Sequence, residues 1–417
     1  MPKLKIALIL GLLLLALALR FFFFYQNQPK INDGEHVRFQ TTLLKEPQIF
    51  NRYQRFSANL NPTQEVFITT PLFSRLHYGD TVVITGILKE RVLSKNEAIM
   101  TMSYPKIKVV KDSRNLFLAI SSFIRQKATS LFEKTLPSTS ASLLLGIVFG
   151  IKESLTADFT ESLRLSGVFH VVAASGMNVT MVGGFLSSIF GFFLKRQIAI
   201  LASVIGIAFY AVLAGLDPPI VRASIMGTLV FTGQLIGRQT LGAYGLFLSG
   251  FAMLFFSPNL IFDVGFQLSF LATTGLLYIR PLFERNETIK DIFSRSIVGE
   301  GLVATVAAQA ATLPVLLSNF GTYSFWSIMA NVLVLWTIPT LMVVGGVAAL
   351  VGIIFTEAGQ VILYLSFPFL LYFEKTIMFF GNIGGIVAAR ELLWQFTIGY
   401  YCLLAASILY FSRKNNS

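Results

Sequence analysis

The chain alternates long apolar runs with one extended polar segment, and this pattern divides it into regions. An apolar run from Ile6 to Phe24 has the length of a transmembrane helix. Residues 26–115 instead carry short runs in which apolar and polar positions alternate between turn residues, which predicts about five β-strands. Long apolar runs recur from residue 141 to residue 417 and predict a bundle of membrane helices.

The first apolar run has two interpretations, an uncleaved anchor over residues 1–25 and a cleaved signal peptide. The run is longer than an ordinary signal core, and it ends in aromatic residues from Phe21 to Tyr25 in place of the small residues of a cleavage site. We therefore favour the anchor. Lys3 and Lys5 would stay in the cytoplasm, because positive flanks do so, and residue 26 onward would lie outside the membrane.

Residues 26–115 are expected to form an extracytoplasmic, OB-like β domain. Five short strands suit a small antiparallel barrel or sandwich, and the OB-fold is a common barrel that binds nucleic acid. Basic side chains that follow a phosphate backbone and aromatic side chains that stack on bases suit single-strand binding. An ordinary solvated β domain with its aromatic residues in the core is the alternative. The candidate DNA-binding residues are Arg38, Lys45, Arg52, Tyr53, Arg55, Lys89, Arg91, Tyr104, Lys106 and Lys108.

The remaining chain is predicted to be helical. Residues 116–140 have apolar positions at helical spacing with Arg125 and Lys127 on the other side, which indicates an amphipathic helix at the membrane interface. Residues 141–417 are then expected to form a helical membrane domain. With the anchor, we expect a polytopic α-helical membrane protein with about 10 transmembrane helices. The longest polar interruption in the bundle is residues 281–296.

Composition supports a membrane protein. Hydrophobic residues make up 54% of the 417 residues and charged residues only 13%, so a soluble core could not hold the apolar side chains. The net charge is +12. Basic residues in loops that face anionic lipid headgroups explain part of this excess. Residues 26–115 hold 13 Lys and Arg against 8 Asp and Glu. The single cysteine, Cys402, excludes a disulfide within the chain.

Polar residues lie at membrane depth. The run from Val168 to Phe193 could cross a bilayer, yet Ser175, Asn178 and Thr180 lie within it, so we predict that this helix is interrupted or lines a path. For any one of these polar residues, a hydrogen bond that holds two helices together is the alternative to a role in transport. Among these residues Arg222 has the highest free-energy cost within a membrane, unless an anion or an acid pairs with it. Asp217 and a double proline precede it in the sequence, and this pattern predicts a helix end or a re-entrant turn.

The residues predict no enzyme activity, cofactor or metal. His170 and Ser175 are five residues apart, which places them about 140° apart on a helix, so they form no local dyad. The G-x-S-x-G elbow and the phosphate-binding loop of ATPases are both missing from the sequence. Three histidines spread along the chain do not encode a zinc-dependent nuclease.

Four motifs in order resemble the ComEC family of DNA internalisation competence proteins. The string RLSGVFHVVAASGMN is similar to the family's R-x-x-G-x-x-H and A-x-S-G-L-H, although Met177 and Asn178 replace the final Leu and His. Further matches are DPPIVRA, the family's S-P-x-x-R-A turn, and VGFQLSF, its G-F-Q-L-S-F helix. AAQAATLP is similar to the A-Q-x-x-T-x-P helix.

The resemblance implies that residues 141–417 are a competence-type helical membrane channel domain. It would pass single-stranded transforming DNA across the cytoplasmic membrane. The residues that would line the path are His170, Ser175, Gly176, Asn178, Arg222, Gln267, Ser269, Gln309 and Asn331. The implied partners are single-stranded DNA, the lipid bilayer, a DNA receptor with pilus-type uptake machinery, and a cytosolic helicase-type motor; a homo-oligomer is compatible with it. Larger members continue into a metallo-β-lactamase-like domain, so a separate nuclease is expected here. A secondary transporter or channel for a small solute and a membrane scaffold are the alternatives.

Overall fold

The computed structural model of the chain describes most of its length. The described residues are 2–27, 33–50, 52–61, 64–72, 76–94, 97–110, 116–152, 154–172, 175–237, 242–284, 297–388 and 394–414. Most of the loop predicted at residues 281–296 therefore lies outside the described residues.

A long helix and a β-rich region open the chain. Helix α1 spans Pro2–Gln26 and is apolar on all sides, as an anchor would be. Arg20 of α1 donates a hydrogen bond to the Phe255 carbonyl in the bundle. Eight strands follow: β1 His36–Thr42, β2 Gln48–Ile49, β3 Tyr53–Asn61, β4 Gln64–Pro71, β5 Thr81–Ile87, β6 Lys89–Ser94, β7 Glu97–Ser103 and β8 Lys106–Val109.

The strands form two sheets around one apolar core. One sheet has the order β1-β5-β8 and the other β2-β3-β4-β7-β6. Alternate residues of a strand point to opposite faces, so Val66 and Ile68 of β4 meet Val82 and Ile84 of β5 in the core. Strands β4 and β7 pair in parallel, so the prediction of a purely antiparallel arrangement is wrong for this pair. The finer prediction of an OB-like barrel stays a prediction.

Helix α2, Leu116–Thr135, joins the β region to the bundle. Its buried face includes Ala128, Leu131 and Phe132 at helical spacing. The helix ends before Pro137, and a separate helix begins at Ser138, so the predicted segment 116–140 contains a helix end. Arg125, which the sequence places on the polar side, lies on the buried face. The prediction for Arg125 is therefore wrong.

The bundle consists of many helices, and α3 is buried along most of its length. These are α3 Ser138–Phe149, α4 Ala157–Leu165, α5 Phe169–Val172, α6 Gly176–Phe193, α7 Arg196–Leu213, α8 Pro218–Ile236, α9 Gly242–Phe256, α10 Val264–Thr274, α11 Arg280–Glu284, α12 Ile297–Phe320, α13 Ser327–Leu335, α14 Thr337–Ile354, α15 Thr356–Tyr364, α16 Phe367–Ile383 and α17 Trp394–Lys414. A 3₁₀ turn at Pro258–Phe262 precedes α10, and a π-helical turn at Gly275–Ile279 follows it. Short strands β9 Thr322–Ser324 and β10 Ile386–Ala388 pair antiparallel.

Five helical segments of the described residues are long and apolar enough to cross a membrane, or six if one pair bent by 48° counts as a single span. The five are Phe169–Phe193, Arg196–Leu213, Pro218–Ile236, Gly299–Phe320 and Thr337–Ile354, and the bent pair is Thr356–Tyr364 with Phe367–Ile383. The chain is thus a largely helical membrane protein with an N-terminal β-rich region. The number of about 10 crossings stays a prediction.

Pro314 inside α12 leaves a backbone carbonyl that needs a hydrogen-bond donor from another helix. Pro314 has no N–H, so the carbonyl of Ala310 four residues earlier lacks its helical donor. The Tyr400 hydroxyl of α17 donates to that carbonyl over 2.7 Å. Helix α17 therefore packs on α12 through a specific bond of the kind that an apolar surrounding requires.

Candidate functional site

The predicted interruption lies at Ser175. Helix α5 ends at Val172 and α6 begins at Gly176, with Ser175 in an extended conformation at φ −112° and ψ 171°. The Ser175 hydroxyl donates to the Asn178 side-chain oxygen over 3.2 Å, and the Asn178 amide donates to the Ile147 carbonyl of α3 over 2.8 Å. Asn178 is only 1% exposed. Its side chain ties the start of α6 to α3.

Arg222 lies near the starts of α6 and α8 and contacts the middle of α10. Its Nε donates to the Ser269 hydroxyl of α10 over 2.7 Å, and Nη1 lies 3.3 Å from the Met226 sulfur. A Cβ placed on Gly176 would lie 3.0 Å from Nη2, so the guanidinium reaches the first residue of α6. Arg222 is 8% exposed. Within the described part of the chain, no carboxylate pairs with it.

Asp217 does not supply the missing acid. It precedes the first residue of α8, so the predicted helix end at the double proline is present. Its carboxylate pairs with Lys152, whose Nζ lies 3.2 Å away. The Arg222 guanidinium thus has a hydroxyl, a thioether and the Phe270 ring, 5.9 Å away, as its neighbours.

Helix α10 is anchored by its own polar side chains. Asp263 caps it by accepting a hydrogen bond from the Phe266 backbone N–H over 2.7 Å. The Gln267 amide donates to the Ile261 carbonyl over 2.8 Å and so holds the preceding 3₁₀ turn. Of the two predicted path residues on α10, Ser269 reaches Arg222 and Gln267 does not.

A second polar group surrounds Gln309 of α12. Its amide donates to the Ser327 hydroxyl over 3.1 Å and accepts from the Tyr323 hydroxyl over 2.7 Å. Asn331, one helical turn beyond Ser327, is 1% exposed, and its side-chain oxygen has no hydrogen-bond partner. Among the described residues, no hydrogen bond joins this group to Arg222. The nine predicted path residues therefore fall into separate groups.

His170 lies on the short helix α5, where its side chain is exposed. Within the part of the chain that the structure describes, no three His, Cys, Asp or Glu side chains form a group that could hold a metal ion.

The predicted DNA-binding residues are spread over both sheets. Arg38 of β1 and Lys106 of β8 both align with Thr85 on the central strand of the three-stranded sheet. Lys108 lies two residues further along the same exposed face. The Arg55 guanidinium lies 5.7 Å from the ring of Phe50, which stacks on Tyr53 at 4.7 Å. The remaining candidates, Lys45, Arg52, Lys89, Arg91 and Tyr104, are exposed at other positions.

A contact between the β region and the bundle was missed by the sequence analysis. Tyr78 is 1% exposed, and its ring centre lies 4.4 Å from the Arg125 Cζ. The Tyr78 hydroxyl donates to the Val212 carbonyl, and Arg125 Nη1 donates to the carbonyls of Phe149 and Leu213 over 3.1 and 2.8 Å. We name these residues the Arg125 clamp. Burial raises the pKa of the Tyr78 hydroxyl, although the nearby Arg125 acts in the opposite direction.

These features define a class, a polytopic helical membrane protein with an N-terminal β-rich region and a buried arginine at converging helix starts. A family model described as "Competence protein" matches residues 147–414, which is more than half of the chain. The chain therefore belongs to the Competence protein family, and the resemblance to ComEC drawn from the motifs is confirmed.

Three relatives support this assignment. ComE operon protein 3 of Bacillus subtilis (strain 168) is 23% identical over 292 residues, which are 68% of this chain and 36% of that protein. An uncharacterized protein of Aquifex aeolicus (strain VF5) is 30% identical over 176 residues, 42% of this chain and 39% of that protein. The uncharacterized protein YcaI of Escherichia coli (strain K12) is 25% identical over 248 residues, which are 58% of this chain and 32% of that protein.

The matched segments thus span 32–39% of these relatives' lengths. No solved structure matches the chain.

Proposed function

We propose that this protein passes single-stranded DNA across the cytoplasmic membrane during competence, with the Arg222 region as part of the path. The observation that carries the proposal is the guanidinium of Arg222, buried among helix starts with no carboxylate partner in the described chain. Membership of the Competence protein family and the similarity to ComE operon protein 3 support it.

The physical argument concerns charge. An arginine at the centre of a membrane helix costs about 2.5–3.5 kcal/mol on insertion scales, and an ionisable residue buried within a membrane bundle is by default a candidate for a substrate path. Arg222, the fifth residue of α8, is such a buried residue. A passing phosphate would supply the opposite charge. The start of α6 lies beside Arg222 and carries the positive end of a helix dipole, which adds to the attraction for an anion.

The β-rich region would gather the DNA before it reaches the bundle. Arg38, Lys106 and Lys108 share one exposed face of the three-stranded sheet. Contacts of this type bind phosphates through counterion release and do not depend on the base sequence. Phe50 and Tyr53 would supply the aromatic surface on which bases stack.

The wider assembly is proposed from the family. A DNA receptor with pilus-type machinery would deliver the strand, a cytosolic helicase-type motor would supply force, and a separate nuclease would remove the complementary strand. The protein itself would act as a channel without enzyme activity.

The test is import of fluorescent DNA into cells that carry or lack this gene, with equal DNA bound at the surface of both. We expect loss of cytoplasmic DNA without the gene and restoration by the wild-type chain. Equal import in both strains would contradict the proposal and favour a channel for a small solute or a scaffold.

A further inference from the structure

A cleft of about 340 Å³ lies between the β-rich region and the bundle. We name it the junction cleft. On one side it is lined by Leu44, Lys45 and Gln48, and on the other by residues of the bundle. The bundle side of the lining includes Arg125, Lys152, Thr160, Arg164, Phe169 and Asp217.

The two sides of the cleft are held together. The Arg125 clamp joins Tyr78 of the β region to the carbonyls at the ends of α3 and α7. Gly215 has a φ of +94°, and a Cβ there would lie 3.6 Å from the Leu44 carbonyl oxygen. The chain therefore turns tightly at Gly215 directly beside the β region, and the cleft is a built feature of the fold.

The cleft is strongly basic. Four of its side chains are cationic, and Asp217 is the one acid that lines it among the described residues. Lys152 pairs with Asp217, and Arg125 belongs to the clamp. Lys45 and Arg164 are exposed, and no carboxylate of the described chain pairs with either. A concave surface with this excess focuses positive potential on a bound anion.

An aromatic side chain stands beside these charges. The Arg164 Cζ lies 5.7 Å from the centre of the Phe169 ring, and Phe169 also lines the cleft. Cationic groups that track a backbone, combined with an aromatic face, are the combination that binds single strands without regard to sequence.

The cleft residue Asp217 and Arg222 lie near the same end of α8. Asp217 precedes α8 and Arg222 is five residues further, a rise of about 7.5 Å along the helix.

We propose that the junction cleft binds the phosphodiester backbone of single-stranded DNA as it passes from the β-rich region to the bundle. This inference rests on the proposed function. It assigns Lys45 and Arg164 to one anion site, although they lie about 120 residues apart in the sequence.

The test uses the full chain in nanodiscs of zwitterionic lipid, with a fluorescent oligothymidylate as the probe. The variant is Lys45→Gln with Arg164→Gln, and the matched control is Lys127→Gln with Lys134→Gln, which removes two exposed cations from α2 outside the cleft. We expect the cleft variant to bind about tenfold more weakly, with a salt slope less steep by about 1.4, because two phosphate contacts are lost. The control should keep the wild-type affinity.

A photo-crosslinking residue at Thr160 should also capture the probe in the wild-type background. Equal affinity of wild type and cleft variant, with no capture at Thr160, overturns the cleft and leaves the proposed function standing. A wild-type chain that binds no oligothymidylate overturns both. If the cleft variant instead loses binding only to vesicles that contain anionic lipid, the cleft serves the membrane surface and the inference is wrong.

Discussion

Arg125 and Arg222 are both buried in helices, but their guanidinium groups have different surroundings. Arg125 donates to two carbonyls at helix ends, where the helix dipole is negative, and it stacks on Tyr78. Arg222 lies at helix starts, where the dipole is positive, and contacts a hydroxyl and a thioether. The partners of Arg125 thus indicate a structural role, whereas those of Arg222 leave its charge available for the anion that we propose passes it.

The largest effect is expected for Arg125, and it concerns the free energy of unfolding. Arg125→Met leaves two buried carbonyls without their donor and removes the cation from the Tyr78 ring, so the free energy of unfolding should fall by about 2–4 kcal/mol. Thermal unfolding of the purified protein in detergent measures this. Lys127→Met, on the exposed face of the same helix, is the control and should change it by less than about 0.5 kcal/mol. A similar stability of both variants would contradict the clamp.

Arg222→Met should impair DNA import and leave the amount of folded protein unchanged. Import of DNA should fall by about ten- to a hundredfold, because loss of a charged hydrogen bond to phosphate costs about 1.5–3 kcal/mol. The amount of folded protein in the membrane should stay the same. Arg196→Met at the exposed start of α7 is the control. Normal import by Arg222→Met would remove this residue from the path.

Gly176→Ala sharpens the comparison by moving the guanidinium without removing it. The new Cβ would lie 3.0 Å from Arg222 Nη2, so the side chain must shift. We expect import to fall by about tenfold, because the shifted guanidinium would keep only part of its charged contact with phosphate. Gly184→Ala lies on the same helix with no atom within 4 Å of the new Cβ and should import normally. Equal import by the two variants would show that the position of Arg222 is unimportant.

Tyr78→Phe should give the smallest effect, a loss of about 1 kcal/mol from the hydroxyl bond to Val212. It should also change the response to pH. Since the folded-state pKa of Tyr78 is raised above 10.0, its contribution to stability is complete below pH 10 and is lost as the pH rises through the folded-state pKa. Unfolding measured below and above pH 10 should show a smaller alkaline loss for Tyr78→Phe than for wild type.

Local signals in the sequence were sufficient for several features. Polar residues within an apolar run predicted the break at Ser175, and the double proline after Asp217 predicted a helix end. The β-rich region followed from alternation and turn residues. These signals act over a few residues, so no knowledge of the tertiary structure was needed.

Long-range contacts were not predictable in this way. Arg125 lies among polar neighbours on α2, and its burial depends on Tyr78 and Leu213, which are distant in the sequence. The parallel pairing of β4 with β7 has no local pattern that distinguishes it from an antiparallel pair. The junction cleft joins side chains from the β region and the bundle, so only the fold brings them together.

The most direct test of the account is capture of DNA during import. A photo-crosslinking residue would replace Met226, which contacts Arg222, or Ile198, which is exposed on the outer face of α7. We predict that incoming single-stranded DNA crosslinks at position 226 and not at position 198. Import that proceeds normally with no crosslink at position 226 would contradict a path past Arg222.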